Sequence, residues 1–263
     1  MLYSNLNGVP DFESYEYDKK NNKYCLLIPI INEGERIIKE LERAHNSGID
    51  SIVDIIICDA GSNDGSTEEN KLKKYGVNTL LVKTGPGKQA AQLRMGMWWS
   101  LERGYEGIIT IDGNNKDSIE DVFRFVDKLD DGYDFIQGSR FIQGGKAINT
   151  PLVRLIALKL LHAPIISLTA GKWYTDTTNN YRGYSKRYLI DERVKPFRDI
   201  FITYELLAYL SVRANQLKMK TIEVPVTREY PKGETPTKIK KIKGNFDLLK
   251  ILFLNLFRKY NPR

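Results

Sequence analysis

Short apolar runs alternate with helix-forming segments through the first 130 residues, and this alternation limits the fold more than any other feature. The runs are rich in β-branched residues, which is typical of strands buried on both faces of a sheet. They are 24–29 (YCLLIP), 51–58 (SIVDIIIC), 79–83 (TLLVK) and 107–112 (GIITID). Strands that alternate with helices predict βαβ units with right-handed crossovers. The sequence therefore predicts an α/β fold with a mostly parallel central sheet flanked by helices.

A polar loop follows each predicted strand, and parallel strands deliver such loops to one edge of their sheet. The loops span 29–33, 59–64, 85–89 and 112–117. In the last loop, Asp112 and Asn114 are separated by a single glycine, Gly113. Two oxygen ligands so placed suit a divalent cation held against a diphosphate. A lone D-G-N triplet is more often a simple turn, so the prediction depends on the four loops meeting.

The composition narrows the classes of partner. The 263 residues carry a formal net charge of +7, which favours an anionic partner such as nucleotide phosphates or a membrane surface. The basic tract 238–243 lacks interleaved aromatic residues, which disfavours nucleic acid. Cys25 and Cys58 lie inside apolar runs and predict reduced core cysteines. With two histidines, a His-rich metal centre is excluded. The polar start of the chain predicts no signal peptide, and the reduced cysteines predict a cytoplasmic protein.

The composition also divides the chain. Residues 1–23 predict a loose arm, 24–235 one globular domain, and 236–263 a basic and apolar C-terminal helix. The apolar segment 151–173 contains Pro164 and predicts either a core helix or a helix lying in a membrane interface, and both readings stay open. Basic residues beside the amphipathic C-terminal helix favour contact with the inner face of an anionic membrane.

Six motifs occur in an order that resembles a known family. They are IPIINE (28–33), CDAGSNDGS (58–66), GPGKQAAQLRMG (85–96), IDGNN (111–115), GSRFIQGG (138–145) and DTTNNYRGYS (176–185). Each motif is weak alone, but six in order form a specific signal. Over residues 24–245 the chain resembles the inverting family 2 glycosyltransferases of the GT-A fold. The nearest branch contains dolichol- and polyprenyl-phosphate mannose synthases.

The resemblance implies a nucleotide-sugar site at the predicted sheet edge. The implied donor contacts are Pro29, Glu33, Asp59, Lys88, Asp112, Arg228 and Lys238. Asp112 and Asn114 would hold Mg²⁺ or Mn²⁺, while Arg140 and Arg182 would contact phosphates. The implied donor is a UDP- or GDP-sugar. The implied acceptor is a lipid phosphate or a glycan hydroxyl in cell-envelope polysaccharide or glycolipid synthesis.

The chemistry of the acceptor decides whether a general base is needed. A hydroxyl acceptor needs one, and Asp176 is the first candidate and Glu205 the second. A lipid phosphate is already anionic and needs none. The chain departs from the family pattern at Ala60 and Asn114, where carboxylates are usual, and the neutral amide of Asn114 is the weaker metal ligand.

Two other functions remain open from the sequence. A nucleotidyltransferase on a similar sheet would carry a glycine-rich basic loop after the first strand, whereas this chain has Ile-Ile-Asn-Glu at 30–33. A non-catalytic scaffold that binds a nucleotide at the membrane is the alternative that Ala60 and Asn114 favour.

Overall fold

The structure is a computed structural model that describes residues 2–3, 8–232 and 243–262. Lys238, most of the basic tract and the predicted boundary at 235/236 lie outside the described residues. The strands are β1 Leu2–Tyr3, β2 Phe12–Glu16, β3 Tyr24–Ile30, β4 Asp54–Asp59, β5 Val77–Lys83, β6 Gly107–Thr110, β7 Phe135–Ser139, β8 Lys146–Ile148, β9 Arg182–Ser185, β10 Thr221–Pro225 and β11 Thr227–Glu229. The α-helices are α1 Glu35–Asn46, α2 Glu69–Lys74, α3 Gln89–Glu102, α4 Val122–Asp130, α5 Leu152–Ala157, α6 Ala163–Ala170, α7 Lys186–Leu189, α8 Glu205–Gln216 and α9 Lys243–Leu256.

The central sheet confirms the predicted α/β class. Within the described residues its strand order is β1-β2-β5-β4-β3-β6-β9-β7-β10. The four predicted strands β3, β4, β5 and β6 pair in parallel. Strand β9 runs antiparallel between β6 and β7, and β10 pairs in parallel with β7 at the edge. Strands β8 and β11 form a small second sheet.

Two hydrophobic layers cover the sheet because successive side chains of a strand point to opposite faces. In β3, Leu26 and Ile28 pack with α1 and α4 on one face. Cys25 and Leu27 pack with α3, α6 and α8 on the other. Both cysteines are fully buried and reduced, as predicted.

The prediction of a loose arm for residues 1–23 is wrong over 12–16. Strand β2 pairs antiparallel with β5, and Phe12 is fully buried in the core. The alternation Phe-Glu-Ser-Tyr-Glu buries Phe12 and Ser14, a strand pattern that the polar composition of the segment conceals.

The segment Leu152–Ala170 is helical, with a π-helical turn at Leu158–His162 between α5 and α6. Pro164 closely follows the π-helical turn, which changes the hydrogen-bond pattern of the helix near the point where proline supplies no N–H. By length and composition alone this helix could cross a membrane, because its mean hydropathy is 1.6. Within the protein, 22% of the helix is buried. Its inner residues, including Ile166, join the core, while contact with a membrane interface stays a prediction.

Helix α9 begins at Lys243, as the pattern of the C-terminal residues predicts. It packs on α6 and α8 through Ile251 and Leu252, whereas Phe253 is about half exposed. Tyr260, beyond the helix, packs near the ring of Phe201 and anchors the end of the chain to the domain.

Candidate active site

The polar loops that follow β3 and β4 meet at one edge of the sheet. The backbone amide of Asn32 donates to Ser62 Oγ at 2.9 Å, which ties the two loops together. The side-chain amide of Gln92, on α3, donates to the carbonyl oxygens of Ile30 and Cys58, both at 2.8 Å. The first turns of α3 therefore lie beside the ends of β3 and β4, as the parallel topology requires.

Asp112 lies just past β6 and is the centre of the site. Its Oδ1 accepts hydrogen bonds from Asn180 Nδ2 at 3.1 Å and from Gln89 Nε2 at 3.3 Å. Its Oδ2 accepts from Arg228 Nη2 at 3.2 Å. Three distant parts of the chain thus converge on the Asp112 carboxylate, whose side chain keeps 22% of its surface exposed.

Arg228 joins Asp112 to a second carboxylate, Asp117. Its Nη1 donates to Asp117 Oδ2 in a short, buried contact. Burial alone would lower the pKa of Arg228, but the charges of Asp117 and Asp112 raise it, so the guanidinium stays charged. A buried cation that bridges two carboxylates is well placed to turn toward a bound phosphate.

The residues present fit a divalent cation by the chemistry of their donors. Asn114 Oδ1 is buried and accepts no hydrogen bond from the described residues. Together with the oxygens of Asp112 it offers hard ligands to such a cation. Phosphate and water would fill the remaining coordination positions of the cation. The turn is held from behind, because the fully buried Glu40 accepts a hydrogen bond from the backbone amide of Asn115 at 2.7 Å.

Gly113 serves the packing of this turn. A Cβ atom at this position would lie 2.5 Å from Ile30 Cγ2 and 2.9 Å from Ile28 Cγ2. We expect Gly113→Ala to push the turn off the sheet, to destabilise the protein by about 1–3 kcal/mol, and to lower activity because Asp112 and Asn114 move. Urea unfolding and steady-state assays measure the two effects.

Gly132→Ala is the control for this substitution. No atom would lie within 4 Å of a Cβ added at Gly132, although its φ of +76° makes alanine strained there on its own account. The control therefore reports the cost of backbone strain without a clash, away from the site. Equal losses of stability and activity in both variants would contradict a packing role for Gly113.

Arg140 and Asp176 form a buried ion pair at the end of β7. Arg140 Nε donates to Asp176 Oδ2 at 2.6 Å, and Nη2 donates to Oδ1 at 2.9 Å. Asp176 is fully buried, so it holds the guanidinium and cannot reach an acceptor hydroxyl in this arrangement. The structure thus contradicts the prediction that Asp176 is a general base, while Arg140 does lie at the predicted edge.

Glu205 is also engaged by its surroundings. Its carboxylate accepts hydrogen bonds from the backbone amide of Ile202 at 3.0 Å and from the hydroxyl of Thr203 at 2.9 Å. It therefore stabilises the first turn of α8 and the loop before it, as acidic residues at a helix start commonly do. Its role as the second candidate base stays a prediction, although its carboxylate is engaged in this structure.

Arg182 lies in the interior, where it cannot contact a phosphate. Its Nε and Nη2 donate to the carbonyl oxygens of Asn179 and Thr177, both at 3.0 Å, and Nη1 donates to Leu207 O. The side chain is 2% exposed. The predicted phosphate contact is therefore wrong, and Arg182 instead secures the loop that precedes β9.

The remaining predicted donor contacts lie around the same edge. Pro29 is buried near the end of β3, and Asp59 ends β4. Asp59 Oδ2 accepts hydrogen bonds from the amides of Gly61 and Ser62 at 2.8 Å, which shapes this loop.

Glu33 and Lys88 flank the edge in different ways. Glu33 pairs with Arg36 at 2.9 Å. Lys88 is exposed immediately before α3, which begins at Gln89, the residue that contacts Asp112. Their roles in binding a donor stay predictions.

Comparison with known proteins gives sequence relatives but no matching family model. The polyprenol monophosphomannose synthase of Mycolicibacterium smegmatis is 28% identical over 212 residues, covering 80% of this chain and 78% of that protein. The undecaprenyl-phosphate mannosyltransferase of Micrococcus luteus is 28% identical over 211 residues, covering 76% of this chain and 81% of that protein.

Solved structures give the fold. Glucosyl-3-phosphoglycerate synthase from Mycobacterium tuberculosis, in complex with phosphoglyceric acid, superposes with a TM-score of 0.65 at 14% identity, covering 89% of this chain and 80% of that one. The same enzyme with Mn²⁺ and UDP-glucose gives a TM-score of 0.60 at 13% identity, covering 89% and 79%. The chain is a glycosyltransferase with the GT-A fold. The resemblance read from its six motifs is thereby confirmed.

This glycosyltransferase has a group of cations around Tyr230, of which the sequence predicted only Arg228 as a site residue. Lys116 Nζ, Arg154 Cζ and Arg228 Cζ lie 5.5, 5.7 and 5.6 Å from the centre of the Tyr230 ring. Arg154 Nη1 also donates to Tyr230 Oη at 3.3 Å. Lys116 belongs to the polar stretch after Asp112, so its position in the sequence could have predicted a place in the site. Arg154 lies in an apolar helix, and its sequence context does not indicate a site residue.

The glycosyltransferase also contains a partly buried histidine beside the Asp176 loop. His162 Nδ1 lies 2.7 Å from Thr177 Oγ1. Burial lowers the pKa of His162 from 6.5 to about 4, and the nearby charge of Arg182 acts in the same direction. Between pH 6.5 and about 4, His162 is therefore protonated in the unfolded chain but stays neutral in the folded protein.

We expect this histidine to make the enzyme less stable in acid. Stability is lost as the pH falls from 6.5 toward 4, by at most about 3 kcal/mol. His162→Gln should remove this part of the pH dependence, because glutamine does not titrate. Urea unfolding of both proteins at pH 8 and pH 5 measures it, and His45→Gln is the control because His45 is about half exposed. The same acid sensitivity in His162→Gln would contradict the assignment.

Proposed function

We propose that this glycosyltransferase moves a sugar from a nucleoside diphosphate to the phosphate of a polyprenyl-type lipid, with inversion at the anomeric carbon. The observation that carries the proposal is the concentration of charge at one sheet edge. Arg228 pairs there with Asp112 and Asp117, and the charges of Lys116, Arg140 and Arg154 act on the neighbouring Tyr230. Such an arrangement suits two phosphate-bearing substrates in one site.

The donor half of the site is built around Asp112 and Asn114. These residues would hold Mg²⁺ or Mn²⁺, which would supply positive charge to the leaving diphosphate. Arg228 would turn from Asp112 toward the diphosphate as the donor binds. The solved neighbours that contain UDP or UDP-glucose with Mg²⁺ or Mn²⁺ support a uridine diphosphate sugar as the donor, and a guanosine diphosphate sugar is the alternative.

The acceptor half is supported by the engagement of both candidate bases. Because Asp176 and Glu205 are hydrogen-bonded elsewhere, an acceptor that needs no deprotonation fits best. An oxygen of the lipid phosphate attacks the anomeric carbon as the bond to the diphosphate oxygen breaks. The nucleoside diphosphate leaves with the electron pair, and the configuration inverts. Relatives named for polyprenol and undecaprenyl-phosphate chemistry support this acceptor class.

Release of nucleotide tests the proposal. The enzyme is incubated with UDP-, GDP- and CDP-sugars and Mg²⁺ or Mn²⁺, with undecaprenyl phosphate, a glycan or no acceptor present. We expect release from one donor that depends on the lipid phosphate, and a β-linked product from an α-linked donor. Release that depends on the glycan alone would contradict the acceptor assignment. Nucleotide binding without release from any donor would favour a non-catalytic scaffold.

We further propose that the enzyme works on a membrane surface through the helix Leu152–Ala170. Leu160 and Leu168 on this helix expose about three quarters of their surface, and Lys159 is exposed beside them. Apolar side chains that flank a cation suit the interface of an anionic bilayer. The relatives named for lipid-phosphate substrates support such a location at a membrane, and we propose the cytoplasmic face for it.

Vesicle binding tests this location. We expect the double variant Leu160→Ser with Leu168→Ser to bind phosphatidylglycerol vesicles at least about tenfold more weakly, because two apolar anchors are lost. Ile190→Ser is the matched control, since Ile190 is an exposed apolar residue outside this helix. Flotation of the proteins with vesicles measures binding. Equal binding by the double variant and wild type would contradict the proposed surface.

A further inference from the structure

Tyr230 lies at the centre of a group of cations formed by Lys116, Arg154 and Arg228. It directly follows β11 and is 4% exposed. Its backbone amide donates to Ile148 O at 3.1 Å, and its carbonyl oxygen accepts from Asn149 Nδ2 at 3.1 Å. The backbone is therefore fixed on both sides of the Tyr230 Cα atom, which makes the ring a rigid support for mobile side chains.

The cations around Tyr230 differ in what else they contact. Arg140 pairs with Asp176, and Arg228 pairs with Asp112 and Asp117. Arg154 has its hydrogen bond to the Tyr230 hydroxyl and stacks against the same ring. Its other N–H groups thus stay available for a ligand, as far as the described residues show.

Like charges gathered at one ring repel each other. Lys116 Nζ, Arg154 Cζ and Arg228 Cζ lie 5.5, 5.7 and 5.6 Å from the centre of the Tyr230 ring. The face of the Tyr230 ring offsets part of this repulsion through cation–π attraction. An anion that enters between Lys116 and Arg154 would relieve the rest, so the arrangement is poised for a phosphate.

We propose that Tyr230 is a positioning residue that aims Arg154 and Lys116 at the phosphate of the acceptor. The inference rests on the proposed function for the class of acceptor. The hydroxyl fixes the direction of Arg154, and the ring fixes the distance of both cations. Tyr230 itself need not contact the substrate.

Binding of farnesyl phosphate tests the inference, with farnesol and inorganic phosphate as comparison ligands. Tyr230→Phe keeps the ring and loses the hydrogen bond to Arg154. We expect about tenfold weaker binding of farnesyl phosphate by calorimetry, with UDP affinity and the thermal midpoint nearly unchanged. Tyr133→Phe is the matched control, because Lys128 and Lys220 lie over its ring at 5.8 and 4.2 Å, away from the site.

A double-mutant cycle separates positioning from a general structural effect. Because Tyr230 is argued to act through Arg154, Arg154→Met combined with Tyr230→Phe should bind farnesyl phosphate no more weakly than Arg154→Met alone. In enzymes that turn over, the acceptor KM should rise in Tyr230→Phe while the donor KM stays constant.

Each outcome decides the inference. Additive losses in the double variant, equal losses of UDP and farnesyl phosphate, or unchanged binding by Tyr230→Phe would overturn it. Failure of the wild type to bind farnesyl phosphate, or equal affinity for farnesol, would overturn it as well. Equal affinity for inorganic phosphate would keep the role of Tyr230 and assign it to a free phosphate. Binding that weakens as expected, without sugar transfer in wild type, would uphold the role of Tyr230 and overturn the proposed transferase reaction.

Discussion

Asp112→Ala is expected to lower kcat/KM by about a hundredfold to a thousandfold, because charge stabilisation in the transition state is lost. The substitution removes the acidic oxygen ligand of the proposed cation and leaves Arg228 with Asp117 alone. Steady-state release of nucleotide measures the effect. Asp131→Ala is the control, since its exposed ion pair with Lys128 lies on the surface.

Metal binding by Asp112→Ala should show why its activity falls. Mn²⁺ titration in the presence of UDP is expected to lose its tight phase in Asp112→Ala and to keep it in Asp131→Ala. Wild-type turnover in Asp112→Ala would remove the foundation of the proposed donor site. Normal Mn²⁺ binding with impaired turnover would instead assign Asp112 to contact with the nucleotide sugar.

Asp176→Asn is expected to destabilise the protein by about 3–5 kcal/mol, since it leaves the buried guanidinium of Arg140 without its counter-charge. Urea unfolding measures the loss. Asp191→Asn is the control, because its partner Arg193 is largely exposed, and it should cost less than about 1 kcal/mol.

A paired replacement separates stability from function. We expect Arg140→Met with Asp176→Leu to recover most of the lost stability, because apolar residues of similar volume replace the pair. Activity should not return, since the proposed phosphate contact of Arg140 is gone. Full activity in a stable double variant would show that the pair serves the fold alone.

The sequence predicted the fold best where residue composition and hydrophobic periodicity indicated the same element. The apolar runs that became β3, β4, β5 and β6 are hydrophobic on both faces, so their pairing in a parallel sheet followed from the pattern. The convergence of distant loops on Asp112 followed from the same topology.

The sequence was least informative where polar residues are buried by their partners. The stretch 176–185 is too polar to predict a strand, yet β9 is central because Asn180, Arg182 and their neighbours find partners inside the protein. Likewise, single residues such as Asp176 and Glu205 gave no sign that neighbours would occupy their carboxylates, since those partners are distant or backbone groups.

The position of β9 has a consequence for how the enzyme matures. It hydrogen-bonds to both β6 and β7, although about 70 residues separate it from β6 along the chain. A growing polypeptide that has not yet reached residue 182 therefore exposes the facing edges of two apolar strands, which are prone to self-association. The enzyme can therefore become active only late in its synthesis. We expect the growing chain to need chaperones most just before β9 is made.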